Sequence, residues 1–159
     1  MEKLKILLVS AEVEPFAKTG GLADVAGALP MALKQAGHDV RIVMPKYQIV
    51  SARMNYVTDF SVEMLGREET CIIREGSLNF EENEENYSIP VYFVDNYHYF
   101  DRSGIYCYGD DADRFVFFDK AVLKMLPAIG FNPDVIHCND WQTGPIPLYL
   151  KEKYKDDSY

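Results

Sequence analysis

Two adjacent glycines, Gly20 and Gly21, stand between a strand and a helix near the start of the chain. Residues 4–9 form a continuous apolar run of the length that a buried parallel strand needs. Residues 22–36 carry apolar side chains at helical spacing: Leu22, Val25, Leu29 and Leu33. The glycines therefore occupy a turn that leads out of a strand and into a helix, which favours folds built from strand–helix units.

A second buried strand is predicted after this helix, over residues 40–44, and Pro45 closes it. Gly37 is a candidate C-cap of the helix, and Pro30 is expected to kink it or to mark the start of its second half. Strand, helix and strand within the first 45 residues make a βαβ unit. This unit predicts an α/β fold with a mainly parallel sheet and a right-handed crossover.

The segment from Lys18 to Leu22, which we call the glycine loop, has the features of a phosphate-binding corner. Glycine lets a ligand approach the backbone closely and permits positive φ, and the first N–H groups of a helix lack internal partners and favour negative charge. Lys18 adds a mobile cation. The segment matches neither a Walker loop nor the Gly-x-Gly-x-x-Gly fingerprint. A plain strand-to-helix turn explains the two glycines equally well.

Composition excludes several classes of protein. The 159 residues are 48% hydrophobic, which is enough for one core and one domain, and the net charge is −9. The 16 Lys and Arg residues form no basic cluster, so nucleic-acid binding is not expected. Cys71, Cys107 and Cys138 lie far apart, which favours reduced thiols in a cytoplasmic protein over a disulfide framework or a zinc site. No segment is long enough to span a membrane, and the first apolar run is interpreted as a strand rather than a signal peptide.

The middle of the chain predicts a β-hairpin and then a loop. Residues 57–64 and 70–78 are interpreted as its two strands, with Gly66 and Arg67 between them. The acidic run over residues 81–86 is interpreted as a solvated loop without an assigned function. Another buried strand is predicted over residues 89–94.

An aromatic segment over residues 97–106 resembles a loop at the mouth of a site, although on sequence alone a surface loop pinned by its aromatic rings is favoured. His98 has no partner at metal-ligand spacing, so no metal role is expected. A helix over residues 113–129 and a strand over residues 135–138 are predicted next, and a last helix begins near residue 145.

A second polar cluster, which we call the tryptophan turn, follows that strand: Asn139, Asp140, Trp141 and Gln142. It stands at the carboxyl end of a predicted parallel strand, where open α/β sheets bind ligands. A carboxylate beside an indole suits a sugar, because the acid accepts hydroxyl hydrogen bonds and the ring packs on the apolar sugar face. Alternatively, Asp140 caps a helix and Trp141 fills the core.

These motifs together resemble the N-terminal part of bacterial glycogen synthases and plant starch synthases. The resemblance begins at residues 10–25, Ser-Ala-Glu-Val-Glu-Pro-Phe-Ala-Lys-Thr-Gly-Gly-Leu-Ala-Asp-Val. It continues, in family order, through residues 27–30 (Gly-Ala-Leu-Pro), 37–40 (Gly-His-Asp-Val), 100–102 (Phe-Asp-Arg) and 134–143 (Asp-Val-Ile-His-Cys-Asn-Asp-Trp-Gln-Thr). Only residues 57–86 lack a family signature.

The resemblance implies a GT-B fold, in which two Rossmann-like domains face each other across a cleft. The implied activity is transfer of glucose from ADP-glucose to the non-reducing end of an α-1,4-glucan with retention, without a metal or cofactor. Residues 1–159 are then expected to be a truncated, three-layer, acceptor-side domain with an inserted β-hairpin, inactive without the donor-binding domain. The alternatives are a non-catalytic phosphate- or nucleotide-binding module and a related glucosyltransferase with another donor.

The resemblance also implies roles for individual residues. Lys18 and the N–H groups of Gly20 and Gly21 are expected to face the donor diphosphate, where they stabilise departing ADP. Asp24 is expected to orient groups of the catalytic site. The acceptor-side residues are expected to be Tyr106, Asp140, Trp141 and Gln142.

Two departures from the family pattern bear on these roles. Many relatives read His-Asp-Trp-His where this chain reads Asn139-Asp140-Trp141-Gln142, so the role of Gln142 is the less secure of the set. The spacing around residues 103–108 also leaves Tyr108 as an alternative to Tyr106.

Overall fold

The computed structural model describes residues 2–157, which form one six-stranded sheet with helices. The elements are, in chain order, β1 (Lys5–Val9), α1 (Gly21–Gln35), β2 (Asp39–Pro45), β3 (Asn55–Met64), β4 (Arg67–Glu82), β5 (Glu85–Asp95), α2 (Tyr97–Phe100), α3 (Asp111–Ala128), β6 (Val135–Cys138), a 3₁₀ turn (Trp141–Thr143) and α4 (Pro145–Glu152). No helix in the described part of the chain is both long and apolar enough to cross a membrane.

The sheet has the strand order β3-β4-β5-β2-β1-β6, and its last four strands are parallel. The chain moves one way along the sheet from β1 through α1 to β2, and the opposite way from β5 through α3 to β6. Since such crossovers are right-handed, α1 and α3 cover opposite faces. The predicted three-layer α/β fold is therefore confirmed.

The central strands are buried on both faces. Leu7 and Leu8 are neighbours in β1, so their side chains point to opposite sides of the sheet, and both are fully buried. In β2 the neighbours Val43 and Met44 also point to opposite sides of the sheet, and both are fully buried. This double burial explains why these strands read as continuous apolar runs in the sequence.

The predicted hairpin is present and forms the edge of the main sheet. Strands β3 and β4 pair antiparallel, and β4 pairs antiparallel with β5. Leu65 and Gly66 join β3 to β4 with φ values of 51° and 76°. A two-residue turn with positive φ at both positions matches the twist of the flanking strands. The segment without a family signature therefore extends the sheet rather than standing apart from it.

The acidic run was predicted to be a loop, and this prediction is wrong. Strand β4 continues to Glu82 and β5 begins at Glu85, with Asn83 and Glu84 as a second two-residue turn. Here the two strands project beyond their neighbours in the sheet, so their polar side chains remain in water while the backbone pairs.

Two other predictions need adjustment. Helix α1 continues through Pro30 as one element, and Gly37 follows its end with φ of 94°. The aromatic segment was interpreted as a loop, but its first four residues form the short helix α2, capped by the side chain of Asn96. The remainder, up to the start of α3, is irregular.

Candidate functional site

The glycine loop and the tryptophan turn follow adjacent strands. Strand β1 leads to the loop, strand β6 leads to the turn, and Val9 and Cys138 are partners at the carboxyl ends of this parallel pair. Both clusters therefore lie at the same edge of the sheet. This is where open parallel sheets form ligand sites.

A buried glutamate, Glu12, holds the glycine loop in shape. Only 3% of Glu12 is exposed, and its carboxylate accepts hydrogen bonds from the backbone N–H and the hydroxyl of Thr19 (2.8 Å for the hydroxyl). The N–H of Gly20 also points to this carboxylate, at 3.4 Å. Glu12 has no role predicted from the sequence, because nothing in the sequence distinguishes it from the exposed Glu14 two residues later.

Tyr106 reaches the same carboxylate from the aromatic segment. Its hydroxyl donates to Oε1 of Glu12 at 2.7 Å. Burial raises the pKa of Tyr106 well above its ordinary value, and the hydrogen bond to Glu12 and the charges of Glu12 and Asp140 act in the same direction. Tyr106 therefore keeps its proton and acts as a hydrogen-bond donor between the glycine loop and the tryptophan turn.

Tyr108, the alternative to Tyr106, is occupied elsewhere. Its ring lies under the guanidinium groups of Arg102 and Arg114, at 4.8 and 4.9 Å. Its hydroxyl oxygen accepts a hydrogen bond from the N–H of Gly104 at 2.9 Å. The geometry thus favours Tyr106 over Tyr108 as the tyrosine of the site.

Lys18 and Asp24 form an ion pair at the rim of the loop. Lys18 Nζ lies 2.5 Å from Oδ1 of Asp24 and 3.9 Å from Glu14. The hydrogen bond to Asp24 is the main cause that raises the pKa of Lys18 above its usual range. Both side chains are about half exposed, so the lysine is a charged group that an incoming anion can reach.

The two glycines leave open space in front of the loop. A Cβ built on either Gly20 or Gly21 meets no atom within 4 Å. Neither glycine has positive φ, so the close approach of a ligand, and not backbone conformation, is what their lack of a side chain permits. Gly21 is the first residue of α1, where N–H groups have no intrahelical partner. The N–H of Gly20, in contrast, is directed at Glu12.

Trp141 is a surface residue. It is 54% exposed and packs edge-on against Phe115, with 5.2 Å between ring centroids. The alternative that Trp141 fills the core is therefore wrong. Asp140 does act as a cap, since its Oδ1 accepts the N–H of Trp141 at 2.7 Å, but it caps the 3₁₀ turn and not α4.

Gln142 is a buried residue of the tryptophan turn. It is 3% exposed, and its Oε1 has no hydrogen-bond partner within residues 2–157. It lies close enough to Tyr106 to lower the pKa of that phenol slightly, against the larger effect of burial. A buried acceptor without a partner is costly, so this amide is suited to receive a hydrogen bond from another group.

Metal ligation has no obvious place in this arrangement. Residues 2–157 contain no group of three or more His, Cys, Asp or Glu side chains placed to hold a metal ion. His98 packs against the ring of Tyr99, at 4.9 Å between centroids. The chemistry available at the site is therefore that of a lysine, helix N–H groups, carboxylates, a phenol and an exposed indole.

This fold is that of a known class of proteins. The family model for the starch synthase catalytic domain matches residues 5–159, and the chain belongs to this family. The catalytic domain of starch synthase IV from Arabidopsis thaliana, solved bound to ADP and acarbose, has a TM-score of 0.86 and 31% identity to this chain. That match covers 98% of this chain and 31% of the other, and it confirms the GT-B assignment.

Similar curated proteins include glycogen synthases. The glycogen synthase of Moorella thermoacetica is 61% identical over 156 residues, which is 98% of this chain and 31% of that protein. The glycogen synthase of Desulforudis audaxviator is 52% identical over 162 residues, or 98% of this chain and 32% of the relative. The chain thus spans about a third of the length of these relatives.

Proposed function

We propose that the full-length protein transfers glucose from ADP-glucose to the non-reducing end of an α-1,4-glucan, with retention of configuration. One observation supports this proposal most strongly: a lysine beside a helix N-terminus, and an exposed tryptophan beside a carboxylate, follow neighbouring parallel strands. The first suits a diphosphate and the second suits a sugar. The similarity to glycogen synthases supports the same pairing of substrates.

The donor side consists of Lys18, Gly20 and Gly21. Negative charge grows on ADP as it leaves, and Lys18 with the free first-turn N–H groups of α1 stabilises that charge. Asp24 orients Lys18 through their ion pair. The ADP bound to starch synthase IV of Arabidopsis thaliana supports nucleotide binding by the full-length protein. Contact with Gly20 requires the donor to share an N–H that now points to Glu12.

The acceptor side consists of Tyr106, Asp140, Trp141 and Gln142. The exposed indole offers an apolar face to the glucan. The second carboxylate oxygen of Asp140 accepts hydrogen bonds from sugar hydroxyls. The unpartnered Oε1 of Gln142 is buried, so it accepts a hydrogen bond only when the residues around it move as the site closes. Tyr106 connects this surface to the glycine loop through Glu12.

We propose that most of the donor site lies in a second Rossmann-like domain. Residues 1–159 alone are then inactive. The open surface around Lys18 and Asp24 supports this division, because a lysine and helix N–H groups in water bind an anion weakly. The proposed compartment is the cytoplasm, where free cysteines such as Cys107 stay reduced.

Release of ADP tests the proposal. The full-length protein is incubated with ADP-glucose, with and without glycogen, and ADP is quantified. We expect release that depends on glycogen. UDP-glucose in competition then measures donor choice: preference for UDP-glucose would identify a related glucosyltransferase, and binding without turnover would identify a nucleotide-binding module.

A further inference from the structure

The carboxylate of Glu12 is the point where the two sides of the site meet. It accepts from three donors on the glycine loop, namely the N–H and hydroxyl of Thr19 and the N–H of Gly20. It accepts its fourth hydrogen bond from Tyr106, which lies 94 positions along the chain. A carboxylate has about four acceptor positions, so these four donors saturate it.

No cation competes for this carboxylate. The ion pairs within residues 2–157 involve Glu14 and several aspartates but not Glu12. Glu12 is also buried, so a substrate cannot reach it without moving the residues around it. Its four hydrogen bonds therefore fix the relative position of a donor-side loop and an acceptor-side tyrosine.

We propose that Glu12 is a positioning residue that couples the donor side of the site to its acceptor side. This inference rests on the proposed function. Glu12 holds Thr19 and Gly20, and so sets where Lys18 and the N-terminus of α1 stand. The same carboxylate orients Tyr106. Loss of Glu12 misplaces both groups together, and the reacting sugar is then poorly aligned between them.

Two variants of Glu12 separate positioning from folding. Glu12→Ala removes all four hydrogen bonds. Glu12→Gln keeps one oxygen, which can still accept from the N–H groups of Thr19 and Gly20. Its NH₂ group can donate to the hydroxyl of Tyr106, because a phenol hydroxyl accepts hydrogen bonds as well as donating them. In the full-length protein we expect kcat to fall roughly 10–100-fold in Glu12→Ala, the range of a lost hydrogen-bonded charge, and clearly less in Glu12→Gln. In both Glu12 variants, KM for ADP-glucose should change far less than kcat. Glu63→Gln, on the exposed face of β3, serves as the matched control.

A double-variant cycle tests the coupling. Tyr106→Phe removes the link to Glu12 from the other side, so the kcat of Glu12→Ala/Tyr106→Phe should equal that of Glu12→Ala within about threefold. The proposal would be overturned if the kcat losses of the two single variants multiply in the double variant. A normal kcat in Glu12→Ala would also overturn it.

Amide hydrogen exchange tests the same network without any activity. We expect the Thr19 amide to lose its protection in Glu12→Ala, while strands β1 and β2 stay protected and show that the domain is folded. Tyr106→Phe should leave Thr19 protected. Protection of Thr19 that survives Glu12→Ala would overturn the inference even if the proposed transfer is confirmed. Loss of that protection would uphold the network even if the full-length protein shows no transfer.

Discussion

The side-chain amide of Asn139 donates a hydrogen bond to the carbonyl oxygen of Val9 at 2.9 Å, and the backbone N–H of Asn139 reaches the same oxygen at 3.1 Å. These bonds tie the residue after β6 to the last residue of β1. The tryptophan turn begins at Asn139, and the segment that leads to the glycine loop begins after Val9. Asn139 is thus explained as a residue that holds the two halves of the site together, and not as a substrate contact.

Lys18→Ala should lower kcat strongly in the full-length protein without unfolding it. Lys18 is exposed and its partner Asp24 is also in water, so stability changes little. A cation that acts on leaving-group charge contributes mainly in the transition state, and its loss costs about 2.7–4 kcal/mol, or roughly 10²–10³ in rate. Steady-state kinetics with Lys3→Ala as control measure this. Near-normal kcat would reduce Lys18 to a surface residue of the turn.

Trp141→Ala should raise KM for a maltooligosaccharide acceptor. The exposed indole face supplies about 1–2 kcal/mol of packing against a sugar ring, or roughly 5–30-fold in affinity. Thermal stability should change little, because the side chain is half in water. Kinetics at varied acceptor concentration measure the change, and Tyr56→Ala, another exposed aromatic substitution, provides the control. An unchanged acceptor KM would place the glucan elsewhere.

The buried carboxyl group of Asp119 should make the free energy of unfolding depend on pH. It is fully buried in α3, neither carboxylate oxygen has a hydrogen-bond partner within residues 2–157, and burial raises its pKa from 3.8 to about 8. The folded state therefore holds this proton more tightly than the unfolded state. The resulting contribution to stability is complete below about pH 4 and is lost as the pH rises towards 8.

Asp119→Asn should remove this pH dependence. The variant cannot ionise, so at pH 9 it should be more stable than the wild type by several kcal/mol, up to about 6 for a rise in pKa from 3.8 to about 8, with little difference at pH 4. Its neighbour Cys138 does not titrate in this interval, because burial raises the pKa of that thiol to about 11. Urea unfolding of both proteins at several pH values measures the difference, with the exposed Asp156→Asn as control. Parallel pH profiles would contradict the account.

The 159-residue chain should bind ADP-glucose weakly, with a dissociation constant of about 1 mM or higher. Its donor-side groups stand on an open surface, where each charge contact contributes only about 0–1 kcal/mol. Calorimetric titration with ADP-glucose and with a maltooligosaccharide measures both affinities. Micromolar binding of ADP-glucose would mean that the donor site lies in this domain.

Local patterns in the sequence were sufficient to predict the parallel half of the fold. The apolar runs of β1 and β2 reflect burial on both faces. The apolar spacing in α1 predicted the helix but not its buried face, since Val25 is exposed. The buried face of α1 consists of Ala23, Ala26, Gly27 and Pro30. The outer part of the second hairpin could not be predicted in the same way. Its strands are acidic and exposed, so the sequence does not show that they are strands. Only their backbone pairing, for example of Glu81 with Asn86, shows it.

The site residues, too, could be predicted only where local sequence patterns were informative. The glycine loop and the tryptophan turn carry unusual residue combinations and were found from the sequence. Glu12 was missed because its importance depends on burial and on a partner 94 positions away. The choice between Tyr106 and Tyr108 likewise depends on which phenol the arginines occupy, and only the tertiary structure supplies that information.

The configuration of the newly formed glycosidic bond shows whether the full-length protein transfers glucose with retention. The full-length protein is given ADP-glucose labelled with ¹³C at the anomeric carbon, together with a maltooligosaccharide, and the product is followed by NMR. We expect one ADP to be released per glucose transferred, and an α-1,4 linkage at the labelled carbon. A β linkage, or release of free glucose with no elongation of the glucan, would contradict it.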